Sequence, residues 1–559
     1  MDKFVIIYFS MSFFVFFVLQ KLLFVLWWKP LRIQKLFHKQ GIKGPQYRPV
    51  IGSLKELAVI YRRAKEESPT PTPLPLPLQP QSCKENTKQH NLVQHIFPHL
   101  PPWINKYGKN FLFWFGPLPR IVVTEPELIK KMFSDPKEFI LLVQHPALYQ
   151  LIGKALPLAE GDAWATNRKL LSPFFNLESL KHPALYQLIG KALPLAEGDA
   201  WATNRKLLSP FFNLESLKGL SHIVIEATEK LVETWSNLAK SSEWEADVYS
   251  EFEELVQNIA AAVVFGRNAK EGKYIGHLQM KQENLIAGAL RNVYIPGTRF
   301  LPTSFNLRSN WLRKEVDRLL MQLIKIRDAN RDTTESDLLS YLLSSSMPRE
   351  QIKEECRVFS VAAYETVSIL LSWTFIMLGT FTEWQDKARE EVSEVLKGNN
   401  PSFETLSRFK ILNMIINETL RLYPPVPTVI RGVKEDTKLA NLTVPAGTGF
   451  IVPIIAIHHD KDLWGENADV FDPSRFSEGV AKAAKHPMAF MPFTVGPRIC
   501  IGMNFVLMEA KIILAMLLQK FRFVVSPNYK HEPSYSVIMK PDSTEQKQNH
   551  RFGGFKRLK

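Results

Sequence analysis

The chain has 559 residues, 45% of them hydrophobic, with a formal net charge of +15 and three cysteines. That is enough for one large domain or two ordinary ones with a sizeable core. Three cysteines without paired spacing (Cys83, Cys356 and Cys500) argue against a disulfide framework and for a reducing compartment. No arginine-rich tract interleaves with aromatics, so nucleic acid is excluded as the partner, and the basic balance suits an acidic membrane or protein surface instead.

Phe4 to Leu19 is apolar apart from a few hydroxyls, Gln20 and Lys21 interrupt it, and Leu22 to Trp28 resume. Together they suffice for a membrane span of about 20 residues, with Trp27 and Trp28 suited to the interface. Lys29, Arg32, Lys35 and Lys39 follow, which puts the bulk of the chain on the cytosolic side. No small-residue cleavage site is visible, so residues 1–28 read as an uncleaved anchor. Residues 29–45 are a basic hinge ending in Gly41-Ile42-Lys43-Gly44-Pro45. Ser68 to Pro80 alternates proline with threonine and leucine, an extended surface insertion. Phe111 to Gly116 and Arg120 to Thr124 read as paired strands, with Thr124 placed to cap a helix over Pro126 to Phe133.

His145 to Lys181 then recurs, residue for residue, as His182 to Lys218. An identical tandem pair is not a solenoid, which needs several diverged units. Each copy carries a tryptophan and an arginine four apart on one helix face: Trp164 with Arg168, and Trp201 with Arg205. Only one copy can fill a single slot in a core. The second is favoured, because it runs directly into Gly219 and the helical stretch Ser221 to Leu238. Further helices are expected at Phe252–Phe265, Asn310–Asn330 and Gln351–Leu378. Others follow at Thr382 (as cap) to Lys397, Ser407–Leu422 and Asn504–Gln519, with short strands near Val429–Val433 and Phe450–Pro453. The sum is mainly helix with minor sheet.

Cys500 lies in a turn opening onto a helix, within Phe493-Thr494-Val495-Gly496-Pro497-Arg498-Ile499-Cys500-Ile501-Gly502. The start of a helix favours a thiolate, and glycines allow a flat ligand close approach to the backbone. By itself such a sulfur is a metal ligand, a nucleophile or a buried small hydrophobe. Glu418 and Arg421, three apart, share a helix face, and Arg475 follows in Pro473-Ser474-Arg475-Phe476. His458 and His459 are adjacent and lack the spacing of a metal site.

Phe-x-x-Gly-x-Arg-x-Cys-x-Gly resembles the haem-ligating loop of the cytochrome P450 family. The series Glu-x-x-Arg, Pro-x-Arg-Phe and cysteine loop follows the family's order. The resemblance implies a single P450 domain over residues 46–559, mainly α with minor β, and looks most like plant microsomal members of the 72 clan. It implies haem on the Cys500 thiolate, in a loop where Phe493, Gly496 and Gly502 match the family pattern. The Glu418, Arg421 and Arg475 triad would steady that loop. The haem propionates would be held by Arg498, Arg431 and the Trp201/Arg205 or Trp164/Arg168 pair. Ala362-Ala363-Tyr364-Glu365-Thr366 is similar to the family's oxygen-activating segment, where Glu365 and Thr366 would relay protons. Ala363 departs from the usual glycine and Val367 from the usual hydroxyl residue. The polar, basic stretch Ser543 to Lys559 departs from the apolar strand pair that usually closes the family's substrate side.

The implied activity is insertion of one oxygen atom from O2 into a small hydrophobic substrate such as a hormone, terpenoid or fatty acid. Electrons would come from NADPH-cytochrome P450 reductase, at the cytosolic face of the endoplasmic reticulum membrane. The alternatives are a haem-thiolate isomerase or lyase, or a catalytically impaired haem-binding member.

Overall fold

The computed structural model describes residues 12–13, 16–17, 19–67, 92–140, 192–239, 244–290, 302–330, 336–527, 529–535, 538–541 and 552–557. The proline-rich stretch Ser68 to Pro80, the first repeat copy with Trp164 and Arg168, and most of Phe4 to Leu19 lie outside them.

One helix organises the rest. Arg349–Thr380 (α6) starts after Pro348 with Glu350 in its first turn, where a carboxylate complements the helix dipole. Its second half is apolar all round, a pattern that fits only a buried helix. Ile369, Leu371, Trp373, Ile376, Met377 and Leu378 are each fully buried. Burying a side chain of this size contributes about 1.5–3 kcal/mol. Among the described residues it alone is long and apolar enough to cross a membrane, yet 83% of its apolar window is buried. It packs against Val248–Phe265 (α3) and Ala269–Leu290 (α4), and also against Ser304–Ala329 (α5), Lys410–Leu422 (α7) and Met503–Lys520 (α8). The second repeat copy supplies Gly198–Leu208 (α1) and runs into Leu214–Leu238 (α2). α2 begins at an Asn213 cap that accepts from the Ser216 amide.

A small sheet flanks the helices in the order β1 (Asn110–Phe115), β2 (Leu118–Val123), β4 (Gly449–Val452), β3 (Val429–Gly432). β1 and β2 form a hairpin, β2 pairs parallel with β4, and β3 pairs antiparallel with β4. Successive residues of a strand face opposite sides. Phe111 and Phe113 therefore join the main helical core, while Leu112 and Trp114 join a second core beneath the sheet. Arg120 lies across Gly449, where a Cβ would meet its guanidinium at 2.3 Å and make the side chain shift.

Several local expectations need correction. Thr124 caps nothing; its hydroxyl donates to the Lys109 carbonyl, and the helix Pro126–Ser134 starts after Glu125. Thr382 is already inside its helix, behind Phe381. The segment Phe403–Arg408 is a separate short turn of helix, so α7 begins at Lys410 rather than Ser407. The Glu391 carboxylate does the capping there, accepting the Lys410, Ile411 and Leu412 amides. Nor is the C-terminus without a strand pair. Ser534–Tyr535 (β5) and Met539–Lys540 (β6) form one before the basic tail, and the tail's Phe552–Arg557 pairs with Trp244–Ala246 and Phe521–Arg522.

Candidate active site

The cysteine loop is a tight hairpin leading into α8. The Thr494 amide donates to Met491 O, the Ile499 amide to Gly496 O, and the Cys500 amide to Phe493 O, each at 3.0 Å. Two residues take left-handed backbone, Thr494 (φ 60°) and Gly496 (φ 76°). At Gly496 a Cβ would lie 2.4 Å from the Phe133 carbonyl oxygen, so the glycine is a steric requirement. A Cβ on Gly502 would be 4.0 Å from the Cys500 sulfur, so glycine keeps that flank of the thiol free of a side chain.

Cys500 is exposed as a residue, although surrounding atoms crowd its thiol. Burial pushes the Cys500 thiol up, against the opposing pull of the Gly502 amide, the Arg205 guanidinium and the Met503 amide. The helix start therefore does not by itself yield the thiolate expected from sequence. Coordination to a metal would have to displace the proton.

The predicted triad is assembled. Arg421 and Glu418, both fully buried, pair through two hydrogen bonds of 2.7 and 2.8 Å. The remaining Arg421 donors reach the carbonyls of His458, Ala468 and Val470, which satisfies the whole guanidinium fork. Glu418 also accepts the Asp472 amide and lies 3.6 Å from Arg475 Nε. Arg475 in turn donates to the Trp464 and Asn467 carbonyls.

His458 joins this network to the cysteine loop, a link that sequence reading missed. The Met491 amide donates to its Nε2, so Nδ1 carries the proton and donates to Arg421 O. Burial pushes its pKa down to about 3, keeping the ring neutral. His459 bridges Asp469 and Leu422 O, and among the described residues no group of three His, Cys, Asp or Glu side chains could hold a metal ion. The adjacent histidines are structural. Their signal was the Arg421 carbonyl, which needs a donor at a helix end.

Beside the loop, basic side chains gather from three elements. Arg498 lies over the Trp201 ring at 4.8 Å, donates to Ala196 O and pairs with Glu197 at 2.6 Å. Arg205 donates to Ile499 O at 2.8 Å. Arg431 packs on the Phe133 ring, and burial together with nearby Arg498 lowers it to about 10. The second copy's Trp201 thus meets Arg498, and its Arg205 meets the loop backbone at Ile499. Glu197, also from this copy, was not foreseen. Arg498 Nε is buried without a partner. Three guanidinium groups beside the cysteine loop, one with an unused buried donor, fit the two propionates of the expected haem.

On α6, Ala362 is exposed and Thr366 half-exposed, while Glu365 is buried. The Thr366 hydroxyl donates back to Ala362 O at 2.9 Å. The Glu365 carboxylate pairs with Lys540 of β6 at 2.7 Å. The expected acid and alcohol are adjacent in sequence but engage different partners.

The cytochrome P450 family model matches residues 178–547, starting just before the second repeat copy and including all of it. Cytochrome P450 734A1 of Arabidopsis thaliana is 35% identical over 94% of this chain and 93% of its own. Cytochrome P450 CYP72A616 of Paris polyphylla is also 35% identical, over 94% and 95%. Secologanin synthase 1 of Catharanthus roseus is 34% identical over 92% of each. With relatives of this similarity along nearly its whole length, all of them from plants, the chain belongs to the cytochrome P450 family and is a haem-dependent monooxygenase.

Proposed function

We propose that Cys500 is the axial ligand of the haem and that Arg498, Arg205 and Arg431, with Trp201, hold its propionates. One observation carries this reading: the only exposed free cysteine among the described residues sits at the head of α8, in a hairpin tied through His458 to a buried, fully bonded Arg421. When bound, haem supplies the oxygen-activating chemistry, with the thiolate donating electron density to the iron. The chain's own residues orient the substrate, exclude water and deliver protons. Thr366 presents a hydroxyl on the half-exposed face of α6, and Glu365 is the acid next to it. The substrate is a small hydrophobic molecule of the hormone, terpenoid or fatty-acid kind, and the electrons come from NADPH-cytochrome P450 reductase. The N-terminal helix anchors the protein in the endoplasmic reticulum membrane. The exposure of Leu19, Leu23, Phe24, Trp27 and Trp28 on that helix supports this placement.

The decisive experiment is Cys500→Ala. The carbon-monoxide difference spectrum of the reduced protein should lose its haem-thiolate band completely, and an unchanged spectrum would refute the assignment. Dependence of turnover on the reductase separates the monooxygenase from an isomerase or lyase.

A further inference from the structure

The Glu365 carboxylate is one corner of a buried cluster drawn from four elements. Lys540 Nζ of β6 lies 2.7 Å from Glu365 Oε1 and 3.8 Å from Glu283 Oε1 of α4. The Glu365 and Glu283 side chains are 8% and 9% exposed, and Lys540 is 26% exposed. Tyr249 and Glu253 of α3 and Tyr364 of α6 also face the cluster. The hydroxyls of Tyr249 and Tyr364 are buried without hydrogen-bond partners. Two carboxylates share one cation here. Were both ionised, an uncompensated negative charge would remain buried, which is strongly disfavoured. Two carboxyls in contact in a low-dielectric site settle instead on one proton between them.

We propose that Glu283 and Lys540 are positioning residues for Glu365, with Glu283 holding a proton against the Glu365 carboxyl group while Lys540 forms an ion pair with that same group. In this arrangement the Glu283 hydroxyl donates to Glu365. To pass a proton toward Thr366, Glu365 first accepts it from Glu283 and returns to the carboxylate on releasing it. Glu283 then takes a proton from water at the Lys540 end, where the lysine side chain is 26% exposed. The neighbourhood supports this distribution. Burial first, then the Glu365 charge and hydrogen bond, push Glu283 up to about 9. Burial opposes the Lys540 charge, but Tyr249, Glu365 and Glu283 together outweigh it and raise that group. The C-terminal hairpin thereby becomes part of the apparatus around α6. The proposal rests on the proton-delivery role of Glu365 given above.

Infrared difference spectroscopy of the haem-loaded, full-length protein, titrated upward from neutral pH, tests it directly. The wild type should show a protonated-carboxyl band that disappears with a midpoint near 9. Glu283→Gln should abolish the band. Lys540→Arg should retain it. Lys540→Met should move the midpoint upward by about one unit or more, because a stabilising cation is gone. A band that Glu283→Gln leaves unchanged overturns the proposal, as does a midpoint that Lys540→Met leaves in place. The carbon-monoxide spectrum of each variant reports folding and haem loading. If Glu365 plays no part in proton delivery, substitutions at Glu365 and Thr366 will leave turnover intact while the infrared titration still follows Glu283, so the two failures are distinguishable.

Discussion

The two sides of the proposed haem site are built differently. On the cysteine side, Glu418, Arg421, His458 and the loop amides form a network of short, saturated hydrogen bonds, and the Arg421 and Glu418 side chains are 0% exposed. On the α6 side, Thr366 is bonded only within its own helix, and Glu365 is balanced by charges from α4 and the C-terminal hairpin. The first side resists change because deleting either Glu418 or Arg421 strands a buried charge. The second retains a proton and a half-exposed hydroxyl, the features that acid–base work requires.

Substitutions should expose this contrast. Arg421→Ala has the largest expected effect. It leaves Glu418 buried and poorly compensated, costing about 3–5 kcal/mol, and should appear as a large fall in the urea midpoint with loss of the haem-thiolate band. Thr366→Ala should do the opposite. Product formation falls on the order of 10²-fold, while the unfolding midpoint and haem spectrum stay near wild type. Gly496→Ala is intermediate for stability, about 1–3 kcal/mol, because its Cβ meets backbone that cannot move aside; urea unfolding would show it.

A last effect, visible only as a dependence on pH, concerns Glu355 on α6, which fastens the second repeat copy by accepting the Leu193 amide and the Asn204 side chain. Burial pushes Glu355 from 4.5 to about 7. A carboxyl raised on folding stabilises fully below its unfolded value, and that contribution is lost as pH rises through the folded one. Wild-type stability relative to Glu355→Gln should therefore fall between pH 4.5 and about 7, by at most about 1.4 kcal/mol per unit. Unfolding free energies measured across that window check the sign.

The cysteine loop, the Glu418–Arg421 pair, the later Arg475 and the long helix over Gln351–Leu378 were all legible in the sequence. Spacing accounts for two of these, since a carboxylate and a guanidinium three apart on a helix must be neighbours and an apolar run that long must be buried in protein or membrane; the roles of the cysteine loop and of Arg475 were implied by the resemblance to the cytochrome P450 family. The partners of those groups were not legible. Lys540 meets Glu365, Glu283 meets both, and His458 reaches Met491 only because separate helices and strands pack together. The two repeat copies are identical, and only the continuity of the second with the helix beyond Gly219 favoured it in the sequence. The tertiary structure brings Leu193, Asn204 and Arg205 of the second copy to Glu355 and the cysteine loop. Local spacing sets which groups share a surface, whereas pairing across a fold depends on where distant elements come to rest. That is why the motif side of the site could be read from the chain and the charge balance around Glu365 could not.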